Sequence, residues 1–173
     1  MVHQKYTSAK TSIKQVPAGF NIVDKHFGWQ ANTVNLDIGG GKYDLMTEEL
    51  RKKGVENLVY DPFNRSLVHN MKIIYRLELE ENDVDTVTMF NLLNVIAEHE
   101  IQLNALKMAN DTLKKGGMLY VRSTYKNPAK VSGVTKSGTF QHYKTQKEYL
   151  EIVREVFPKA ELKFGIIYVK KGE

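Results

Sequence analysis

The run NLDIGGGKYD, residues 35–44, constrains the fold of this chain more than any other stretch. A short apolar strand over residues 33–36 meets an acidic residue, Asp37, and then three consecutive glycines, Gly39, Gly40 and Gly41. A helical pattern opens near Asp44. Glycines at a strand-to-helix turn permit positive φ and let a ligand approach the main chain with no Cβ in the way. The amides that open the next helix lack intrahelical partners and face that ligand. Such a turn holds a nucleotide-like ligand at the carboxyl edge of a parallel sheet.

The residues after the turn fit that placement. A helical stretch over residues 45–53 stops at Gly54, a C′ position. Residues 57–60 read as a second strand ending in Asp61, 20 positions past Gly41. A doubly wound fold places an acceptor for ribose hydroxyls there, and a carboxylate can accept both hydrogen bonds of a vicinal diol. The other reading of Asp61 is a turn residue before Pro62. A third strand is expected at residues 71–75 and a fourth at 85–90. Residues 97–114 carry Ile101, Ala105, Met108, Ala109 and Thr112 on one face, an amphipathic helix. Gly116-Gly117 ends it, and residues 118–122 form the fifth strand. Thr145 and Glu148 make a capping box for a second helix, with Tyr149, Ile152, Val153, Val156 and Phe157 as its apolar stripe. Residues 160–170 read as two short strands turning at Gly165. In the N-terminal region, Pro17-Ala18-Gly19 reads as a turn, and Ile13, Val16, Phe20, Ile22, Val23 and Phe27 can pack a short helix or arm on the sheet.

Several of these pieces resemble the class I S-adenosylmethionine-dependent methyltransferases. LDIGGGKYD looks like that family's first motif and LVYDPF its second; VDTVTMFNLLNVI is similar to the fourth strand and its loop, and ALKMANDTLKKGGMLYVRS to the helix, Gly-Gly turn and fifth strand. The resemblance spans residues 34–123 plus the C-terminal helix and strands, and GTFQHYKTQKEYL with the compact size is similar to small bacterial and phage members. It implies an α/β fold, Rossmann-like and doubly wound, with a mostly parallel seven-stranded sheet and a C-terminal antiparallel hairpin. It implies one domain over residues 1–173, with residues 1–32 as a basic arm or helix over the cofactor cleft. One departure stands out: Tyr43 occupies the place of the family's third glycine, as a pocket residue or a core tyrosine. A dinucleotide site, which needs a small residue there for helix–strand packing, fits less well.

The resemblance implies S-adenosylmethionine as cofactor. Asp37, Gly39, Gly40 and Gly41 would lie at its amino acid end, Asp61 at the ribose, Pro62 and Phe63 at the adenine, and Asn91 and Leu92 beneath it. Asn91 has the alternative of a turn or capping amide. Lys10 and Lys14 either reach the cleft mouth or form a solvated face. Acceptor contacts are expected from Lys136, Phe140 and Tyr143, a basic and aromatic loop suited to a stackable, phosphate-bearing substrate; the alternative is a surface loop with Phe140 or Tyr143 tucked into the core. His142 and His99 are the candidate bases.

The segment NLLNVI lacks the proline and aromatic that amino-methylating base enzymes place after the fourth strand, and the chain lacks the cysteine that cytosine-C5 chemistry needs. Asn91 and Arg122 do not supply the Lys-Asp-Lys-Glu tetrad of ribose 2′-O-methylation. Absence of cysteine also removes disulfides and zinc–cysteine sites, and the histidines and acids lack metal-ligand spacing. No apolar run approaches the ~20 residues of a membrane span, and the polar N-terminus lacks a secretory core, so a cytoplasmic protein is expected. Net charge is +5, with lysines gathered in residues 1–26 and 126–147, compatible with an anionic partner. The expected function is methyl transfer to a nucleic acid or nucleotide-like acceptor. Transfer to a small molecule or protein, or binding of the donor without catalysis, are the alternatives.

Overall fold

In the computed structural model the described residues are 4–7, 9, 12, 14–79, 83–123 and 130–172. Lys10, Ile13 and Lys126 lie outside them.

The elements run α1 (Ala18–His26), β1 (Thr33–Ile38), α2 (Leu45–Lys52), β2 (Val55–Tyr60), α3 (Leu67–Leu79), β3 (Val84–Phe90), α4 (His99–Thr112) and β4 (Leu113–Arg122). They continue with β5 (Gly133–Val134), β6 (Phe140–Gln141), α5 (Gln146–Arg154), β7 (Glu161–Lys163) and β8 (Ile166–Lys170). Six strands form the central sheet in the order β2-β1-β3-β4-β8-β7. The first four are parallel, and β8 and β7 close the sheet as an antiparallel hairpin. The small β5–β6 ladder stands apart.

The sheet has six strands where seven were expected. Residues 71–75, read as the third strand, lie inside α3. Their β-branched content suits a strand, yet they partition with helical spacing: Ile73 and Leu77 pack on the core while Met71 and Tyr75 are exposed. Only residues 80–83 join α3 to β3. A further parallel strand would need its own crossover of a dozen or more residues, so α3 serves as the whole connection from β2 over β1 to β3.

Two apolar layers sandwich the sheet. One contains Leu36, Leu58, Val87, Leu106, Tyr149 and Val153 and seats α4 and α5. The other contains Phe20, Val23, Met46, Leu50, Phe90, Tyr120 and Ile166 and seats α1 and α2. Pro17 to Gly19 open α1 instead of forming a separate turn: Pro17 is its N-cap, and its carbonyl accepts from Phe20 N. Proline suits a helix start because no intrahelical donor is lost there. Further along the chain, α4 stops at Thr112, and Gly116-Gly117 fall within β4, where the register against β3 shifts between Val84 and Thr86. Those glycines make a bulge in the strand, not a helix terminator.

Candidate functional site

The site forms where β1, β2, β3 and β4 end. After Ile38 the chain turns through Gly39 at φ 75° and Gly41 at φ 73°. Gly39 N donates to Tyr60 O at 2.8 Å, tying the turn to the end of β2. Side chains are excluded at two of these positions by neighbours. A Cβ on Gly39 would lie 2.5 Å from Leu92 Cδ1, and one on Gly40 would collide with the Asp37 carboxylate.

Asp61 is buried and binds both loops that frame the turn. Its Oδ2 accepts from Gly41 N at 2.9 Å and from Asn64 Nδ2 at 3.0 Å; its Oδ1 accepts from Phe63 N at 3.0 Å and Asn64 N at 2.9 Å. Arg65 reinforces the brace, its Nε donating to Gly41 O at 2.6 Å and its Nη2 to Asp44 Oδ1 at 2.7 Å. Ser12 Oγ donates to Asn64 Oδ1 at 3.0 Å, drawing the N-terminal segment onto the same loop.

Above the strand ends lies a cavity of about 760 Å³, within the size range of small-molecule sites. One wall is the turn, Gly39 to Tyr43, with Tyr60 to Asn64; another is the loop after β3, Asn91, Leu92, Asn94, Val95 and Ile96; Ile101, Ala105 and Met108 of α4 add apolar surface. Phe90, Arg122, Pro17 and Ala18 line it too, and Gln4, Ser12 and Gln15 join from the N-terminal segment.

Asp37 is not among these wall residues. It lies beneath Gly40, fully buried, accepting from Thr88 Oγ1 at 3.0 Å. Burial, partly offset by that hydrogen bond, pushes its carboxyl up to about 7, and the nearby Asp61 charge adds to the rise. Thr88 also accepts from Asn35 Nδ2 at 3.0 Å, and Asn35 donates to Asn57 at 2.7 Å, so a polar chain crosses the buried sheet and ends at Asp37.

Of the residues singled out in the sequence, Gly39, Gly40, Gly41, Asp61, Pro62, Phe63, Asn91 and Leu92 all line the cavity. Asn91 adopts φ 57°, the left-handed conformation that asparagine tolerates, and its N donates to Arg122 O at 2.7 Å. Tyr43 is a wall residue, with Lys42 Nζ 5.0 Å from its ring centroid.

The expected acceptor residues are placed elsewhere. His99 opens α4 with its Nε2 3.1 Å from the Glu155 carboxylate. His142 packs its ring edge-on against Phe140, at 4.7 Å between centroids. Burial, then the Lys144 charge, holds its imidazole below the ordinary histidine range. Phe140 in turn stacks on Tyr6 at 5.9 Å, Lys130 sits over the Tyr143 ring, and Lys136 is an exposed loop residue. None of His99, Lys136, Phe140, His142 and Tyr143 lines the cavity; from that segment Gln141 does, accepting from Asn94 Nδ2 at 3.3 Å. Lys14 likewise is not a wall residue. Asn64, Arg65 and Asn94 are wall or brace residues that the sequence reading does not name, and Gln141 lies within the loop it offers for the acceptor without being named for a role. Asn64 and Arg65 directly follow the Asp61-Pro62-Phe63 turn, so that proximity was a usable signal. Asn94 and Gln141 meet only in the fold.

No protein-family model matches the chain, and no curated protein matches it. Solved structures do. A 1,6-didemethyltoxoflavin-N1-methyltransferase from Burkholderia thailandensis, solved with 1,6-didemethyltoxoflavin and S-adenosylhomocysteine bound, aligns at TM-score 0.63 and 14% identity over 90% of this chain and 77% of that one. An S-adenosylmethionine-dependent methyltransferase from Methanosarcina mazei aligns at TM-score 0.63 and 15% identity over 86% and 96%. A putative one from Methanococcus maripaludis gives 0.56 and 15% over 90% and 85%. The chain therefore has the Rossmann-like α/β fold of the S-adenosylmethionine-dependent methyltransferases.

Proposed function

We propose that this protein is an S-adenosylmethionine-dependent methyltransferase whose acceptor is a small molecule bound in the same cavity as the donor. The observation that carries this reading is the continuity of that cavity. It runs from the glycine turn and Asp61, past the Asn91–Leu92 loop, to Phe90 and Arg122. Its wall suits the donor chemically: a glycine turn with no room for a side chain at Gly39 or Gly40 and a positive φ at Gly41, a carboxylate at the end of β2, and the half-exposed Phe63 for a flat base.

In this reading Gly39, Gly40 and Gly41 lie against the amino acid tail, and Asp37 acts on it from beneath Gly40. Asp61 takes the ribose by exchanging a protein donor for a hydroxyl, Pro62 and Phe63 lie against the adenine, and Leu92 supports it. When bound, S-adenosylmethionine supplies a methyl carbon already activated by a positive sulfur. The chain's contribution is then to hold the acceptor in line and exclude water. The described cavity walls contain no histidine, and the Asp61 carboxylate is engaged by four protein donors. In this reading positioning is the chain's main contribution to rate. A nucleotide-like acceptor is the second reading, favoured by the exposed Lys136 in the loop between β5 and β6 and the exposed Lys147 in the first turn of α5.

Calorimetric titration with S-adenosylhomocysteine tests the first half of the proposal; saturable heat at one site is expected, and its absence overturns the function. Incubation with donor carrying a deuterated methyl group, followed by mass spectrometry of metabolite, RNA, DNA and protein fractions, tests the second. Label in the metabolite fraction is expected, and label confined to a polymer fraction overturns the small-molecule assignment.

A further inference from the structure

Arg122 ends β4 and is a wall residue of the cavity together with Phe90, its partner in the β3–β4 register, while its guanidinium reaches the β7–β8 turn at Gly165. The guanidinium is half-buried, and desolvation holds its pKa below the ordinary arginine value. One of its five N–H groups is accounted for, Nη1 donating to Gly165 O at 2.6 Å. Among the described residues it pairs with no carboxylate.

Among the described residues the cavity wall offers it no free negative charge. The charged side chains of the cavity wall are Lys42, Arg122 and Asp61, and Asp61 spends its oxygens on Gly41, Phe63 and Asn64. A partly desolvated cation without a partner is unfavourable until an anion meets it, and arginine's planar fork matches carboxylate and phosphate oxygens. Position separates this cation from the cofactor end. β3 lies between β1 and β4, so Arg122 stands two strand spacings, about 10 Å, from the glycine turn. Pro17 and Ala18, the start of α1, face the same end of the cavity.

We infer that Arg122 is the specificity-determining residue of an acceptor subsite, and that the acceptor is a small molecule bearing a carboxylate or phosphate on an apolar body that packs on Phe90. This inference rests on the methyltransferase reading and names its substrate class. The guanidinium binds the anionic group and so fixes which atom of the acceptor faces the donor methyl.

The experiment uses the full chain saturated with S-adenosylhomocysteine and titrated with benzoate, phenyl phosphate and neutral benzamide, followed by calorimetry or ligand-observed NMR. Saturable binding of at least one anionic probe, with benzamide at least tenfold weaker, is expected. Whether benzoate or phenyl phosphate binds more tightly distinguishes the two anionic groups. Arg122→Gln should weaken the anionic probe at least tenfold while changing S-adenosylhomocysteine affinity less than twofold. Arg122→Lys, which keeps the charge but loses the fork, should fall between, and it serves as the readout if the glutamine variant does not fold. Equal binding of benzoate, phenyl phosphate and benzamide, no binding of any probe, or unchanged anion affinity in the variants overturns the inference and leaves the methyltransferase reading standing. Failure of S-adenosylhomocysteine itself to bind removes both.

Discussion

At the scale of single residues the most consequential group is Asp37. It closes a buried chain of side-chain hydrogen bonds, Asn57 to Asn35 to Thr88 to Asp37, that crosses the middle of the sheet. Burial pushes its carboxyl from 3.8 up to about 7. An unfolded chain releases that proton near pH 4, so between about pH 4 and pH 7 the native state binds more protons than the unfolded one. The sign is fixed by that difference: stability falls as pH rises through that window, and the full penalty stands above it. Asp37→Asn should flatten the dependence of thermal midpoint on pH between about 4 and 7 and be more stable than the parent at about pH 8, as calorimetric melts would show. The acidic residue before the glycines was legible in the sequence, but its depth was not. The sequence places Asp37 at the amino acid end of the cofactor; the structure adds that the carboxylate lies under Gly40 and is held there by Thr88, 51 positions away.

At the scale of elements, local signals and tertiary signals divide cleanly. The box of Thr145 and Glu148 is made of neighbours in sequence, and both its bonds form: Glu148 N donates to Thr145 Oγ1, and Thr145 N to Glu148 Oε2 at 2.7 Å. Thr145→Ala should cost about 1 kcal/mol of stability, measured as a shift in urea midpoint with unchanged slope. The α2 stop at Gly54, with φ 75°, and the hairpin turn at Gly165, also φ 75°, were legible because a glycine marks each, although the turn also holds Phe164 at φ 53°, which the sequence does not announce. Residues 71–75 were not. Their intrinsic preference is for strand, and the outcome was decided by Ile73 and Leu77 finding the core together from one helical face. The Gly116-Gly117 bulge was hidden because it depends on the register of β4 against β3 and on Lys171, which bonds both glycines across the strand pair.

At the scale of the whole molecule, the walls proposed for the cofactor and for the acceptor differ in how far apart their residues lie in the chain. Gly39 to Gly41 and Asp61 to Phe63 come from two adjacent turns, and a sequence pattern reaches them. Arg122, Asn94, Gln141 and the N-terminal Gln4, Ser12 and Gln15 converge from four separate segments, and no spacing foretells that. The N-terminal segment is pinned over the cavity at three points: Lys5 N donates to Glu98 at 3.0 Å, Tyr6 stacks on Phe140, and Ser12 bonds Asn64. Deleting residues 1–15 removes these pins while sparing α1 and both apolar layers. The deletion should leave the melting temperature within a few degrees, raise the Kd for S-adenosylhomocysteine at least tenfold and speed its release, as stopped-flow displacement would record. The brace centred on Asp61 bears on the same equilibrium. One carboxylate holds the Gly41 and Asn64 loops together, so the turn has its shape before any guest arrives. Under the proposed function a ribose hydroxyl displaces one donor of that brace, so the net gain in polar contacts is small and selectivity among adenosine-like guests is expected to come more from their shape and charge.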